Sequence, residues 1–361
     1  MENRSEAIYL LLYRTLREEI IRGEYPYGSK LPSRRSLAAE RGVSTVTAEH
    51  ALELLCDEGY IETRRRSGSY VCFRQGDSFA APSAGERPPK PEEAGAGSGE
   101  RFPISVLLRT MRRVMSERSD AILERSPNAG LPELREAIAR YLARSRGIHV
   151  TAEQIVLGSG AEYLYGMVVQ LLGADRVYGI ESPSYQKIAR VYAAENVRCE
   201  HLPLGRDGIE SAALAATGAD ILHVTPYRSF PSGVTASASK RHAYLRWAEQ
   251  GERWLIEDDF ESEFSLSAKP RETLFANAKR ENVIYLNTFS MTISPAIRAA
   301  YMVLPGSLLS RFAERLGFYS CTVPTFEQLV LTELIAAGDF ERQINRVRRK
   351  KRREAQRGAD A

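Results

Sequence analysis

Two parts of unequal size, the larger an α/β domain built on a mostly parallel sheet, are the fold class that this sequence predicts. Three observations carry the expectation. Residues 1–75 are dense in helical periodicity and end in a basic, hairpin-like stretch. Residues 76–100 are Pro, Gly, Ala and Glu with almost nothing to bury, the composition of a flexible linker. Residues 101–345 alternate helical patterns with short apolar runs at 154–157, 176–180, 221–224, 254–257 and 283–286. Strands alternating with helices imply parallel pairing. A basic tail, 346–361, reads as helix to about Gln356.

Each element of the first part carries its own start and stop. Leu12, Leu16 and Ile20 share one face of a first helix that Gly23 ends. Tyr25-Pro26-Tyr27-Gly28 makes a turn. Ser33, after Pro32, caps a second helix that Gly42 ends. Ser44 caps a third, with Ala48, Ala51, Leu52 and Leu55 as its buried stripe, and Gly59 closes it. Residues 60–65 and 69–73 read as two short strands around Arg66-Ser67-Gly68. Two helices joined by a tight turn and followed by a hairpin make a winged helix-turn-helix. In that setting Arg34, Arg35, Arg64, Arg65 and Arg66 are candidate phosphate contacts. Ser44, Thr45 and Thr47, at the head of the third helix, are candidates for backbone or base-edge contact with double-stranded DNA.

This stretch resembles the GntR-type DNA-binding domain over residues 7–73. The match rests on Gly28-Ser29-Lys30-Leu31-Pro32-Ser33-Arg34-Arg35, Leu37-Ala38, Gly42-Val43-Ser44, Glu58-Gly59-Tyr60-Ile61 and Ser67-Gly68-Ser69-Tyr70-Val71. The resemblance implies that Ser33, Arg35 and the third helix meet DNA, and that Gly68 lets the wing tip approach the minor groove. Two positions depart from it. Thr45 and Glu49 stand where the family often has arginines, and a glutamate there repels phosphate unless it accepts from a cytosine amino group.

The second part can be read as a pocket from its residues. The strand at 154–157 runs into Gly158-Ser159-Gly160-Ala161 and then a helix, and a glycine-rich turn at a helix N-terminus presents free N–H groups to a phosphate. Asp258 ends an apolar run, the usual place for a ligand residue in an open α/β sheet.

Residues 101–345 resemble the fold-type I aminotransferase-like domain of MocR-type regulators, the branch of the GntR family that joins such a domain to a winged helix. The matching stretches are Ala129-Gly130-Leu131-Pro132-Glu133-Leu134-Arg135, Ser159-Gly160-Ala161, Val224-Thr225-Pro226, residues 230–235, residues 256–264 and residues 287–298. The resemblance implies a pyridoxal phosphate pocket. Asp258 would pair with the pyridinium nitrogen, Tyr185 would stack on the ring, and Gly160, Ala161, Thr288, Ser290 and Arg298 would hold the phosphate. Departures concentrate there. Met291 stands at the Schiff-base lysine, and a thioether cannot condense with an aldehyde. Phe260 replaces a tyrosine, Glu162 a glutamine beside the phosphate turn, and Glu124 the tyrosine that a partner subunit lends. Tyr227-Arg228-Ser229 replaces a serine-histidine-glutamine run. The match fades near Phe340, and the family's small C-terminal domain has no counterpart.

Composition is compatible with this. The 361 residues suit two or three domains, and a 43% apolar share supplies a core. A net charge of +4 permits nucleic-acid binding without arguing for it. Cys56, Cys72, Cys199 and Cys321 are scattered, which speaks against a disulfide framework or metal site and for a reducing cytoplasm. The apolar run 7–13 is followed at once by Arg14, Arg17, Glu18 and Glu19, so it reads as helix rather than signal peptide, and no stretch approaches membrane-spanning length. The expectation is a cytoplasmic, homodimeric, DNA-binding regulator with a non-catalytic effector domain and a possible small-molecule effector. Any pyridoxal phosphate would be bound weakly and non-covalently. A working aminotransferase and a decayed regulator without activity stay open as alternatives.

Overall fold

The computed structural model describes residues 8–64, 67–73, 102–265 and 272–359, the side chains of 357–359 excepted. The chain divides into two compact units, Met1–Ala94 and Gly95–Ala361.

In the first unit three helices, α1 (Ile8–Ile21), α2 (Arg34–Arg41) and α3 (Thr45–Asp57), precede the antiparallel strands β1 (Ile61–Arg64) and β2 (Gly68–Val71). Local chemistry sets the helix ends. Ser33 accepts from the Ser36 N–H at 3.2 Å, and Gly42 takes the left-handed conformation (φ 65°) that ends α2. Ser44 accepts from the Thr47 N–H at 3.0 Å. Leu12, Leu16, Ile20, Leu37, Ala48, Ala51, Leu55, Ile61 and Val71 close one core. The hairpin pairs from Ile61↔Val71 to Arg64↔Gly68 and is shorter than the sequence suggested. Arg65 and Arg66 lie outside the described residues, as does the expected linker.

The second unit opens with α4 (Ile104–Glu117), α5 (Ser119–Leu123) and α6 (Pro132–Arg146). There follow β3 (Ile155–Gly158), α7 (Ala161–Leu172), β4 (Val177–Ser182), α8 (Gln186–Ala194), β5 (Arg198–Gly205), β6 (Gly208–Ile209) and α9 (Ser211–Ala216). Next come β7 (Ile221–Val224), α10 (Ala238–Ala248), β8 (Trp254–Asp258), α11 (Leu274–Asn277), β9 (Val283–Thr288) and β10 (Ala300–Val303). The helices α12 (Leu309–Arg315), α13 (Thr325–Ala336) and α14 (Asp339–Ala359) complete it. The sheet order is β3-β10-β9-β8-β7-β4-β5-β6, with β9, β8, β7, β4 and β5 parallel. Strands β3, β7 and β10 are buried at every position, as expected for strands covered on both faces. One face packs on α4, α6, α13 and α14 through Val114, Ile138, Leu334 and Phe340; the other packs on α7 and α8 through Leu164, Val168 and Ile188.

The five apolar runs are all strands. Three further strands were not expected. β5 and β6 form the sheet edge; exposed positions interrupt any apolar run in β5, and β6 is only two residues long. β10 is antiparallel to both neighbours and aligns Gly158, Ala300 and Thr288 in one row. That reversal brings Arg298, just before β10, to the edge where β3, β8 and β9 end. α14 runs unbroken through position 346, with Phe340, Ile344 and Val347 buried and Arg349, Lys350, Arg352 and Arg353 exposed.

Candidate DNA interface and ligand pocket

The residues expected to meet DNA divide into caps, paired cations and unpaired cations. Ser33 and Ser44 serve as helix caps, and Ser44 Oγ also lies 2.8 Å from Thr47 Oγ1. Arg34 is hydrogen-bonded to Glu49 of α3. The carboxylate expected to repel phosphate thus has a counterion one helix away. Arg64 donates to Glu62 at 2.8 Å and lies over the Tyr70 ring at 4.5 Å. Arg35 is exposed with no ion-pair partner among the described residues, and Thr45 is exposed at the head of α3. Gly68 has a local reason to be glycine: its φ is +120°, and a Cβ there would meet the Lys30 side chain at 2.7 Å. The structure therefore adds Lys30, whose stem runs along the wing, to the surface cations. It was quoted in the motif but not singled out, because nothing local says that residue 30 meets residue 68.

In the second unit the strand ends gather the residues that the resemblance assigned to a pocket. Asp258, the last residue of β8, is buried, and its Oδ2 accepts from the Tyr165 hydroxyl with His223 Nε2 at 3.5 Å. His223 Nδ1 is 2.6 Å from the Tyr192 hydroxyl. Burial first, then the Asp258 charge, raises the Tyr165 pKa far above the usual phenol range, so Tyr165 remains a donor. Tyr165 and His223 escaped the sequence reading. Tyr165 lies three residues after Glu162 on the same face of α7, a spacing that could have found it; His223 sits inside an apolar strand and leaves no local signal.

The head of α7 forms the second half. Gly160, with φ +106°, precedes it. Glu162 Oε2 lies 2.8 Å from Arg298 Nη2, and its Oε1 lies 2.7 Å from Lys187 Nζ. A Cβ at Gly160 would fall 2.5 Å from Arg298 Nη2, so the guanidinium lies over the turn itself. Burial resists ionisation of Glu162, but hydrogen bonds from Lys187 and the backbone, with Arg298, outweigh it and hold its pKa at about 2. Thr288 Oγ1 is 3.0 Å from Ser290 Oγ, and Ser290 Oγ donates to the Ile297 carbonyl at 3.2 Å. Tyr185 is half-buried, 6.2 Å from the Phe230 ring centroid and 5.8 Å from Lys187 Nζ. Ala161 and Phe260 are likewise half-buried, and Met291 packs against the core that holds Phe289 and Ile293.

The other acids of the run 257–263 point elsewhere. Glu257 accepts from the Leu274 and Phe275 N–H groups, each at 2.9 Å, at the start of α11. Asp259 faces Arg146 at 3.2 Å, and Glu263 accepts from Asn287 at 2.9 Å. Glu181 is also fully buried, accepts from Ser229 at 2.5 Å, and burial pushes its pKa up to about 8.

The donor set tests the group that the resemblance implied. The ring end fits, since Asp258 is a buried acceptor oriented by two partners. At the aldehyde end the resemblance places Met291, whose side chain offers no amine. The phosphate end does not fit, since its cation and hydroxyls are already engaged within the chain.

Residues 8–71 match the family described as bacterial regulatory proteins, gntR family, and residues 96–358 match aminotransferase class I and II. The uncharacterized HTH-type transcriptional regulator YdeL of Bacillus subtilis (strain 168) is 32% identical over 359 residues, covering 96% of this chain and 77% of that protein. The "Probable rhizopine catabolism regulatory protein MocR" of Rhizobium meliloti is 26% identical over 94% of this chain and 73% of that one. Among solved structures, the α-aminoadipate aminotransferase LysN of Thermus thermophilus, complexed with N-(5′-phosphopyridoxyl)-L-leucine, superimposes with a TM-score of 0.62 at 25% identity. The match covers 71% of this chain and 66% of LysN, just under two thirds of its length. A winged helix and an aminotransferase fold in one chain, and relatives that share both, show that this protein belongs to the GntR family of bacterial regulators, in its MocR branch.

Proposed function

We propose that this chain is a DNA-binding transcription regulator of the cytoplasm whose aminotransferase-like unit is a sensing and dimerising body, not an enzyme. Residues 1–75 would carry the DNA contact, 76–100 the linker and 101–345 the effector function. Met291 carries the non-catalytic half of this reading, because no covalent chemistry with an aldehyde starts from a thioether. Lys187 does not take its place: the Glu162 hydrogen bond raises its pKa, and an ammonium has no lone pair to give. Pyridoxal phosphate, if admitted, would be held weakly and without a covalent bond.

Pairing of two copies is supported by an apolar patch on the second unit. Leu123 is 89% exposed and Phe318 71%, and Phe318 stacks on Tyr319 at 4.6 Å. The segments are neighbours, since Arg125 bonds Ser320 at 2.5 Å and Asn128 bonds the Gly317 carbonyl at 2.8 Å. Exposed patches of this kind are surfaces that partners cover, and a dimer matches paired half-sites on DNA. Among the described residues no helix is long and apolar enough to cross a membrane.

The test is a mobility shift of the full chain on its own upstream DNA, with and without pyridoxal phosphate, followed by borohydride reduction and peptide mapping. A retarded complex indifferent to pyridoxal phosphate is expected. A pyridoxyl-labelled peptide covering residues 287–298, or one containing Lys187, would overturn the non-catalytic reading. Sedimentation across a concentration series tests the dimer, and a monomer at every concentration would remove it.

A further inference from the structure

We propose that Glu162 is the resident occupant of the anion seat at the head of α7, so that the pocket admits small molecules without a phosphate group and excludes phosphate monoesters. The inference rests on the reading of this crevice as a ligand pocket.

A phosphate site of this kind needs free N–H groups, a cation and hydroxyl donors converging on one point. Here the same elements converge on a carboxylate that the chain itself supplies. Arg298 and Lys187 each take one oxygen of Glu162, at 2.8 and 2.7 Å. Glu162 stands in the first turn of α7, where the helix dipole favours a negative charge. The recess over Gly160, where a phosphate oxygen would approach the backbone, has the Arg298 guanidinium drawn over it. Thr288 and Ser290 bond each other and their own loop. The carboxylate stays ionised at any cellular pH, because its pKa is held at about 2. It therefore cannot yield to an incoming dianion by taking up a proton. The ring end keeps its recognition groups: Asp258 meets His223 of β7 and Tyr165, which lies about one helical turn from Glu162 on α7. The ligand class that fits is a ring or amide carrying a donor for Asp258, with no phosphate.

Two arrangements would produce these distances: a resident anion that excludes phosphate, and an ordinary surface ion pair over a seat that still accepts it. Binding separates them. Pyridoxine 5′-phosphate, pyridoxine and inorganic phosphate would be titrated by calorimetry into the full chain, into Glu162→Gln and into Glu162→Gln/Arg298→Ala. The glutamine is isosteric, and an unchanged unfolding midpoint certifies each variant. The expected result is at least a ten-fold gain in pyridoxine 5′-phosphate affinity for Glu162→Gln, competed by inorganic phosphate and lost in the double variant. Pyridoxine should bind all three alike. Equal affinity of wild type and Glu162→Gln for the phosphorylated probe, with pyridoxine still bound, overturns the role of Glu162 and leaves the pocket standing. Failure of both pyridoxine probes on every variant overturns the pocket reading and this inference together.

Discussion

In the first unit Arg35 and Lys30 reach solvent with no carboxylate paired to them among the described residues, whereas in the second Arg298 and Lys187 close on a single glutamate. Both regions carry cations that the family resemblance associates with phosphate, and they dispose of those charges differently. A surface that must meet a polyanion keeps cations available and lets serine hydroxyls organise the helices behind them. In the second unit the two cations are neutralised by a carboxylate of the chain itself. Matching residue types do not distinguish the two cases; the partner of each charge does.

The comparison can be pressed hardest in the buried part of the second unit. Arg146 is 5% exposed and faces Asp259 at 3.2 Å. Arg146→Ala should lower the stability of that unit by about 3–5 kcal/mol in urea melts, since it strands a buried carboxylate. The exposed pair Arg34–Glu49 should contribute less than ~1 kcal/mol by the same measure.

A second test uses pH. Burial pushes Glu181 up to about 8 and Glu257 up to about 8, while Glu162 is held at about 2. A carboxyl whose folded pKa is raised binds its proton more tightly when folded. Its contribution is present below the ordinary glutamate pKa and is lost as pH rises toward about 8. The second unit should therefore lose stability between about pH 5 and about pH 8. Glu181→Gln should recover about 1–3 kcal/mol near the upper end and little near the lower. Urea midpoints across that range check it; a variant that tracks wild type throughout would show that Glu181 is not protonated.

Smaller effects distinguish the cations of the winged helix. Arg35→Ala should weaken DNA binding and reduce the salt slope by about one unit, measured by titration at several salt concentrations. Arg34→Ala should change the slope by less, because its charge is already matched by Glu49. Equal slopes for the two variants would erase the distinction between paired and unpaired cations.

What the sequence made legible follows from what is local. Ser33, Ser44 and Gly42 declare the helix ends within a few residues, and the apolar runs declare β3, β4, β7, β8 and β9. β10 was hidden because its four residues pair antiparallel with β9 across a loop and with β3, which is far away in sequence. Asp258 was singled out by its place at the end of an apolar run, Gly160 by its glycine-rich turn, and Arg298 only through the resemblance. His223, beside Asp258, and Lys187, bonded to Glu162, left no such signal, because each contact crosses from one element to another. The sequence singled out Asp258 alone within the acidic run 257–263, and the structure gives its neighbours Glu257 and Asp259 separate partners.

That sorting has a consequence for how β8 finds its place. Successive side chains of a strand point to opposite faces, so Glu257 and Asp259 share one side and Asp258 takes the other. Each acid has a partner cut to its own length and position: two N–H groups at the start of α11, a tyrosine hydroxyl on α7, and an arginine on α6. Sliding β8 by one residue would turn Asp258 away from its tyrosine and send Glu257 or Asp259 toward α7, leaving Arg146 without its partner. The purely apolar residues of the strand, Leu255 and Ile256, would tolerate that exchange far better. The three acids therefore act as a key that only one alignment of the sheet accepts, whatever chemistry the unit performs.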